Sequence, residues 1–443
     1  MIRPEMASTT ARRAAYLGVV MRSERDALPL QPRPGTQSRA RVARKETLMK
    51  NLIALIVLVA ALLAGAAYAG EAGTAQPRSG ETPYQVTNLQ SLGGTSSVGY
   101  SVNDRGWVAG RSNLPGNQSR HATLWRSGAL TDLGTLGGPN SAVLWPVKNV
   151  RGVVTGIAQS AEPDPLNERW SCGFFFPAAT GTGYRCFGFS WKNGVMTPLR
   201  TLGGTHSFAT GSNNLGQTVG WAENTVHDPT CVLPQVLQFR AVRWGPRRGQ
   251  ISELPPLPGD SVSAATALND HGQVVGISGL CDQAAGRFSA IHNVLWQNGD
   301  PIDIGDLGGV AWNTPMAINQ DGDVVGFANA SATDGGNFNP RAFLRIEGQS
   351  IQNLGTLPGD ATSQALGINE SRQVVGQSCD VDDNCRAFLW QNGVMTDLND
   401  LVGFGYDDVL TTANDIDDFG RITGQGFDGD AGQFVAFLAT PAH

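Results

Sequence analysis

The 443-residue chain has 32 Lys and Arg against 38 Asp and Glu, which gives a formal net charge of −6. Residues 1–69 hold 11 of the basic residues, and the rest of the chain carries 21 basic against 34 acidic side chains. Phosphate binding needs clustered Lys and Arg, so this balance excludes nucleic acid and anionic lipid as partners and favours a neutral or cationic one.

Residues 49–69 have the three-part layout of a secretory signal peptide. Met49-Lys50-Asn51 precedes an apolar run, Leu52–Leu63, and Ala67-Tyr68-Ala69 supplies the small residues of a cleavage site. We expect cleavage after Ala69 and a mature protein that is extracellular or periplasmic. The apolar run is shorter than the roughly 20 residues that cross a bilayer as a helix, so no transmembrane segment is expected after cleavage.

Residues 1–48 are rich in Arg and have no apolar periodicity. They either precede the true start of the chain at Met49 or form an unusually long basic leader, and we expect no ordered structure in them. We predict that residues 70–83 form a linker and that residues 84–441 form a single domain.

One sequence pattern recurs seven times beyond this linker. It has the form A-x-x-I-N-x-x-G-x-V-V-G, and successive units lie 46 to 64 residues apart. The repeat asparagine falls at Asn103, Asn149, Asn213, Asn269, Asn319 and Asn369, with Asp417 in the last unit. A unit of this length suits four strands and their turns, as in one blade of a β-propeller.

The sixth unit indicates its four strands most clearly. Predicted strands A to D are 364–369, 373–376, 386–390 and 394–398, each rich in β-branched or aromatic residues and bounded by Gly, Asn or Asp. Asn-Gly pairs at 193–194, 298–299 and 392–393 supply the positive φ angles that tight hairpin turns require.

The two ends of the repeat region complete each other. The seventh unit ends after its strand C at 434–438, whereas the region begins with an isolated D-like segment at 84–89. We therefore predict an all-β fold: a seven-bladed β-propeller of four-stranded antiparallel blades, closed by an N-terminal strand that completes the last blade. An open β-solenoid would need capping repeats, which the sequence does not show.

Several strand C segments resemble one known repeat. His121–Trp125, Arg341–Leu344 and Arg386–Trp390, together with 132–138, are similar to the bacterial extracellular HAF repeat, and the resemblance spans about residues 84–438. No segment reads His-Ala-Phe, and units two and three depart most from the pattern. The resemblance implies export and a repeat fold, and it transfers no catalytic residue.

All six cysteines fall in the B–C loops, which lie on one face of the predicted propeller together with the D–A loops. An even cysteine count in an exported chain favours disulfides, although the count alone leaves many pairings open. We predict disulfides that stiffen this face between Cys172 and Cys186, Cys231 and Cys281, and Cys379 and Cys385.

The D–A loops lead into the innermost strands and should surround the mouth of the central channel. Side chains there predict a funnel of mixed polar and aromatic groups that suits sugar hydroxyls. Its predicted ligand-binding residues are Asn140, His206, Asp260, Trp312, Asp360, Tyr406 and Asp407. The alternative is a set of solvated turns without a ligand.

No catalytic motif is recognisable in the sequence. The patterns G-x-S-x-G, H-E-x-x-H and the P-loop are absent, as is any C-x-x-C pair. Asn319–Asp323 is similar to a short calcium loop, but it coincides with the A–B turn and lacks a downstream bidentate Glu. We expect no catalytic residue, no cofactor and no metal.

Propellers host many functions, so the fold does not choose among them. We expect a monomeric exported binding module for a glycan or an envelope protein. The alternatives are a hydrolase or lyase that acts on an extracellular polysaccharide in the same funnel, and a purely structural envelope protein.

Overall fold

A computed structural model describes residues 83–168, 170–282 and 286–442. The predicted leader (1–48), the predicted signal peptide (49–69) and all but the last residue of the predicted linker lie outside the described residues. The described chain forms 28 strands in seven four-stranded antiparallel sheets, which confirms the predicted seven-bladed propeller. Within these ranges, no helix is long and apolar enough to cross a membrane.

Blades 1 to 6 each contain four consecutive strands, and blade 7 combines the last three strands with the first. Blade 1 contains β2 (Ser97–Val102), β3 (Val108–Asn113), β4 (Arg120–Arg126) and β5 (Ala129–Asp132). Blade 2 contains β6 (Gly137–Ala142), β7 (Val154–Pro163), β8 (Tyr184–Lys192) and β9 (Val195–Pro198). Blade 3 contains β10 (Ser207–Ser212), β11 (Thr218–His227), β12 (Leu237–Trp244) and β13 (Ile251–Leu254). Blade 4 contains β14 (Val262–Leu268), β15 (Val274–Gly279), β16 (His292–Gln297) and β17 (Asp300–Asp303).

The remaining blades follow the same order. Blade 5 contains β18 (Thr314–Ile318), β19 (Val324–Asn329), β20 (Pro340–Arg345) and β21 (Gln352–Gly355). Blade 6 contains β22 (Thr362–Ile368), β23 (Val374–Cys379), β24 (Cys385–Gln391) and β25 (Val394–Asp397). Blade 7 contains β26 (Val409–Ile416), β27 (Ile422–Asp428), β28 (Gln433–Pro441) and β1 (Tyr84–Asn88). The loops add a short helix, α1 (Trp170–Phe175), and 3-10 turns at Ala332–Asp334 and Leu398–Leu401.

A β-bulge explains the repeat glycine seven residues after the asparagine. In blade 1 the register between β2 and β3 shifts between Gly99 and Ser101, and blades 3 to 7 show comparable shifts. The bulge brings the Val98 carbonyl so close to Gly110 that a Cβ at residue 110 would overlap it. Only glycine fits there, and the same overlap arises at Gly424.

Buried asparagine side chains join neighbouring blades. In blade 4, Asn269 Nδ2 donates to the backbone carbonyl of Asn319 in blade 5 (3.1 Å), while its Oδ1 accepts the N–H groups of His271 and Gln273 in its own turn. The same bond to the next repeat residue is made by Asn103, Asn213, Asn319 and Asn369. The repeat asparagine therefore shapes its own turn and binds the next blade at the same time.

The residue after the repeat asparagine forms a second set of inter-blade bonds. The Gln320 N–H donates to the Glu370 carboxylate (3.0 Å), and the Glu370 N–H donates to Asp418 (2.9 Å). Between blades 7 and 1, the Asp418 N–H donates to Asp104 (3.2 Å). Val150 of blade 2 interrupts this series, because its side chain cannot accept a hydrogen bond.

Blade 7 takes its outer strand from the beginning of the described chain. Strand β1 pairs antiparallel with β28, so that Tyr84 lies opposite Pro441 and Asn88 lies opposite Phe437. The Ala436 N–H also donates to the Ser97 hydroxyl of blade 1 (2.9 Å), which adds a contact between the last and first blades.

A buried ion pair links blades 2 and 7. Asp415 is fully buried in β26, and its Oδ2 accepts the Val102 N–H of blade 1 (2.9 Å). The Lys148 ammonium of blade 2 contacts the other carboxylate oxygen and donates to the Ile416 carbonyl. Burial raises the pKa of Asp415 to about 6, although the positive charge of Lys148 opposes the shift.

We predict that Asp415 makes the protein more stable as the pH falls from about 6 to about 4. Its pKa in the folded state lies above the ordinary value of 3.8, so in this range the folded state binds a proton that the unfolded state lacks. Relative to Asp415→Asn, the wild type should gain on the order of 2 kcal/mol between about pH 7 and about pH 4. Urea unfolding of both proteins at the two pH values measures this, and a pH-independent difference would contradict it.

Candidate functional site

The long B–C connections of blades 2 to 5 cover one face of the propeller, called here the loop face: residues 164–183, 228–236, 280–291 and 330–339. All three predicted disulfides are confirmed: Cys172–Cys186, Cys231–Cys281 and Cys379–Cys385. The second disulfide joins the loops of blades 3 and 4, whereas the other two stay within one blade.

Two of the seven predicted funnel residues are closed to solvent. Asn140 belongs to strand β6 rather than to a loop, and its side chain accepts the Arg120 N–H (2.9 Å) and donates to Gln159 (2.8 Å). His206 is 1% exposed, and its Nδ1 accepts the Cys186 N–H (3.0 Å). Both side chains are buried and hold neighbouring strands together, and a ligand role for them stays a prediction.

Two of the three predicted funnel aspartates, Asp260 and Asp360, are occupied by contacts within the protein. The Asp360 carboxylate forms an ion pair with the Arg386 guanidinium (2.9 Å), and that guanidinium also binds Asp397. Asp260 accepts the Ser278 hydroxyl (2.6 Å) at a mostly buried carboxylate. These contacts secure the D–A loops of blades 4 and 6 to their own strands.

The three remaining funnel candidates reach solvent at least in part. Trp312 is half-buried beneath the blade 5 loop, where its Nε1 donates to the Gly336 carbonyl (2.8 Å) and its ring meets Phe338 edge-on. Tyr406 is half-buried and donates to Asn88 (2.8 Å), and burial, followed by the charge of Asp408, raises its pKa. Asp407 is exposed. A ligand role for Trp312, Tyr406 and Asp407 stays a prediction.

The sequence did not indicate a cluster of ionisable groups buried between blades 2 and 3, called here the acidic cluster: Asp164, Glu168, His206 and Glu223. Glu223 Oε2 accepts the N–H groups of Thr205 (3.2 Å) and His206 (2.9 Å). Glu168 Oε1 accepts those of Val236 (2.7 Å) and Leu237 (2.8 Å). The Gln235 amide lies between the two carboxylates and donates to Glu223 (3.0 Å) and to Glu168 (3.3 Å).

Burial dominates the protonation of this cluster. Removal from water raises the pKa of Glu223 to about 8, although the neighbouring His206 opposes the shift. Burial also raises the pKa of Glu168. For Asp164 the hydrogen bond and charge of His206 outweigh burial, so its pKa lies below the ordinary value. A substrate cannot reach these groups, so they cannot act as acid or base on one.

An open polar cleft lies on the opposite face, where the A–B and C–D turns of blades 4 and 5 meet. Its volume is about 410 Å³, and it is lined by His271, Gly272, Gln273, Gln297, Asn298, Gln320, Asp321 and Glu347. Gln273 donates to the Glu347 carboxylate (3.2 Å) across the two blades, and His271 Nδ1 lies 3.0 Å from the Gln320 carbonyl. The cleft thus offers carboxamides and carboxylates to solvent.

Comparisons with known proteins show a likeness of fold alone. No protein-family profile and no curated protein matches the chain. Among solved structures, the chain is similar to TolB from Acinetobacter baumannii at 10% identity and a TM-score of 0.37, covering 81% of this chain and 80% of that one. It is also similar to the BP39L lectin from Burkholderia pseudomallei at 11% identity and a TM-score of 0.34, covering 82% and 98%. AofleA from Arthrobotrys oligospora matches at 12% identity and a TM-score of 0.32, covering 73% and 90%.

We predict that the three disulfides differ in their effect on stability. In the chain-entropy account, the stabilisation grows with the length of the closed loop, and the sequence separations are 50 for Cys231–Cys281 and 6 for Cys379–Cys385. Replacing Cys231 and Cys281 with serine should lower the free energy of unfolding by about 4 kcal/mol, and replacing Cys379 and Cys385 with serine should lower it by about 2 kcal/mol. Urea unfolding of the two double variants tests this, and equal losses or the reverse order would contradict it.

Proposed function

We propose that the protein is an exported binding module that holds a glycan in the polar cleft between blades 4 and 5. The observation that carries the proposal is the open polar cleft, in which four of the eight lining residues carry carboxamides and two carry carboxylates. The four groups of the acidic cluster are buried and lie outside this cleft. Carboxamides and carboxylates supply both donors and acceptors, which is what sugar hydroxyls require.

Several features support binding over hydrolysis. A glycoside hydrolase needs two carboxylates on either side of an accessible bond. Gln273 already binds Glu347, one of the two acidic side chains in the cleft, and the other, Asp321, is largely exposed. The cleft volume of about 410 Å³ lies within the range of small-molecule sites, roughly 300 to 1,000 Å³.

Export and repeat family belong to the same proposal. Disulfides form and persist in oxidising compartments, so the three disulfides support a place outside the cytoplasm. The signal peptide at 49–69 and the resemblance to the HAF repeat agree with that location.

An envelope protein is the second candidate ligand, and exposed apolar side chains on the loop face favour it. Phe404 is fully exposed, and Val381 and Leu233 are about four-fifths exposed. All three lie in D–A or B–C loops, where a protein partner could cover them.

We predict that the purified protein retains a polysaccharide in an array of bacterial and plant glycans without releasing reducing ends. Asp321→Asn and Gln297→Ala change exposed cleft residues and should each weaken retention about tenfold, the effect of losing one charged or well-placed hydrogen bond. Asp300→Asn is the control, because Asp300 is exposed at the start of β17 but does not line the cleft.

The outcomes separate the alternatives. New reducing ends would replace the binding proposal with an enzyme. Retention that is lost on Trp312→Ala but unchanged by Asp321→Asn would move the glycan site to the loop face. Absence of retention throughout the array would refute glycan binding and leave the protein partner as the candidate.

A further inference from the structure

The acidic cluster joins two long loops that come from different blades. Asp164 and Glu168 belong to the B–C insert of blade 2, and Gln235 belongs to the B–C loop of blade 3. One ligand atom each of Asp164, Glu168 and His206 lies within 4.8 Å of the others. Both loops are also held by disulfides, at Cys172–Cys186 and Cys231–Cys281.

Acceptor atoms in this cluster outnumber the donors. Glu168 is 2% exposed, and although its Oε1 accepts two backbone N–H groups, its Oε2 is buried without a hydrogen-bond partner. Gln235 Oε1 is also buried without a hydrogen-bond partner. Asp164 Oδ2 faces His206 Nε2 at 3.4 Å, and no closer hydrogen bond to this oxygen is present among the described residues. Buried acceptors without a hydrogen-bond partner destabilise the folded state, so this site needs another electropositive group.

The charge of the acidic cluster also favours a bound cation. Asp164, Glu168 and Glu223 are three buried carboxyl groups, and within the described ranges no Lys or Arg forms an ion pair with any of them. Buried carboxylates are stable when a cation or a shared proton offsets their charge. A bound divalent cation would satisfy the open acceptor atoms and the charge together.

The tautomer of His206 decides which kind of cation fits. Because Nδ1 accepts the Cys186 N–H, it carries no proton, and the neutral ring therefore has its proton on Nε2. A protonated Nε2 cannot coordinate a metal, but it can donate to Asp164. The remaining ligands are all oxygen atoms, which favours a hard cation such as calcium over zinc.

We propose that the acidic cluster is a calcium site in which Asp164, Glu168 and Gln235 supply oxygen ligands and His206 orients Asp164. The ion would bind the blade 2 insert to the blade 3 loop and so hold this part of the loop face in place. The inference goes beyond the proposed glycan site, which lies on the opposite face, and it does not depend on that site.

The first test uses the wild-type protein and calcium itself. After treatment with EGTA and removal of the chelator, calcium should bind with one site per chain by isothermal titration calorimetry. It should also raise the melting temperature by several degrees, because an ion that binds only the folded state stabilises it. Absence of binding together with an unchanged melting temperature would overturn the proposal and leave shared protons as the groups that satisfy the acceptors.

Variants locate the site. Glu168→Gln keeps an acceptor for the Val236 and Leu237 N–H groups but removes a ligand charge. Because loss of a residue that only supports a metal ligand already lowers metal affinity about tenfold, this variant should weaken calcium binding by more than about tenfold. Asp164→Asn should do the same and serves if the first variant does not fold. Asp382→Asn, an exposed acidic residue in the Cys379–Cys385 loop, is the matched control and should keep the wild-type affinity. Unchanged affinity in Glu168→Gln or Asp164→Asn, or a loss in Asp382→Asn alone, would place the ion elsewhere and overturn the proposal.

Loss of glycan retention with intact calcium binding would instead concern the proposed function only.

Discussion

The fold depends on one hydrogen bond that recurs around the propeller: a buried asparagine amide that donates to the backbone carbonyl of the same repeat position in the next blade. The same side chain accepts two N–H groups of its own A–B turn, so turn formation and blade packing use one residue. In the last unit Asp417 cannot donate, and its carboxylate binds Arg421 instead. Two other hydrogen bonds join the last blade to the first: the Asp418 N–H donates to Asp104, and the Val102 N–H donates to Asp415.

The two faces of the propeller differ because of this arrangement. The A–B turns of blades 4 and 5 are short, and an open cleft lies where these turns meet. On the loop face, chain length between strands B and C is free to vary. Long inserts there contribute their own side chains, disulfides and buried carboxylates.

The features predicted correctly are those whose signals repeat along the chain. The seven units and the four strands of each blade follow from a sequence pattern that recurs along the chain. The Cys231–Cys281 pair was predictable because equivalent loops of adjacent blades lie side by side, and the other two pairs because both cysteines of each pair belong to one B–C loop. The burial of Asn140 and His206 was not predictable. Burial of a loop residue depends on the insert that covers it, and the insert has no pattern that repeats along the chain. One signal was overlooked: Glu223 lies three residues after the repeat glycine, where other units place the neutral amides Asn113, Gln159 and Asn329.

The measurement that tests this account most directly compares Asn269→Ala with Asn337→Ala by urea unfolding. Asn269 is buried and serves both its own turn and the Asn319 carbonyl, whereas Asn337 is an exposed loop residue of the same type. Loss of the Asn269 amide leaves several buried backbone groups unsatisfied, so the free energy of unfolding should fall by about 2 to 4 kcal/mol, against less than about 0.5 kcal/mol for the control. Similar small losses in both variants would show that the asparagine bonds do not hold the blades together and would contradict the account.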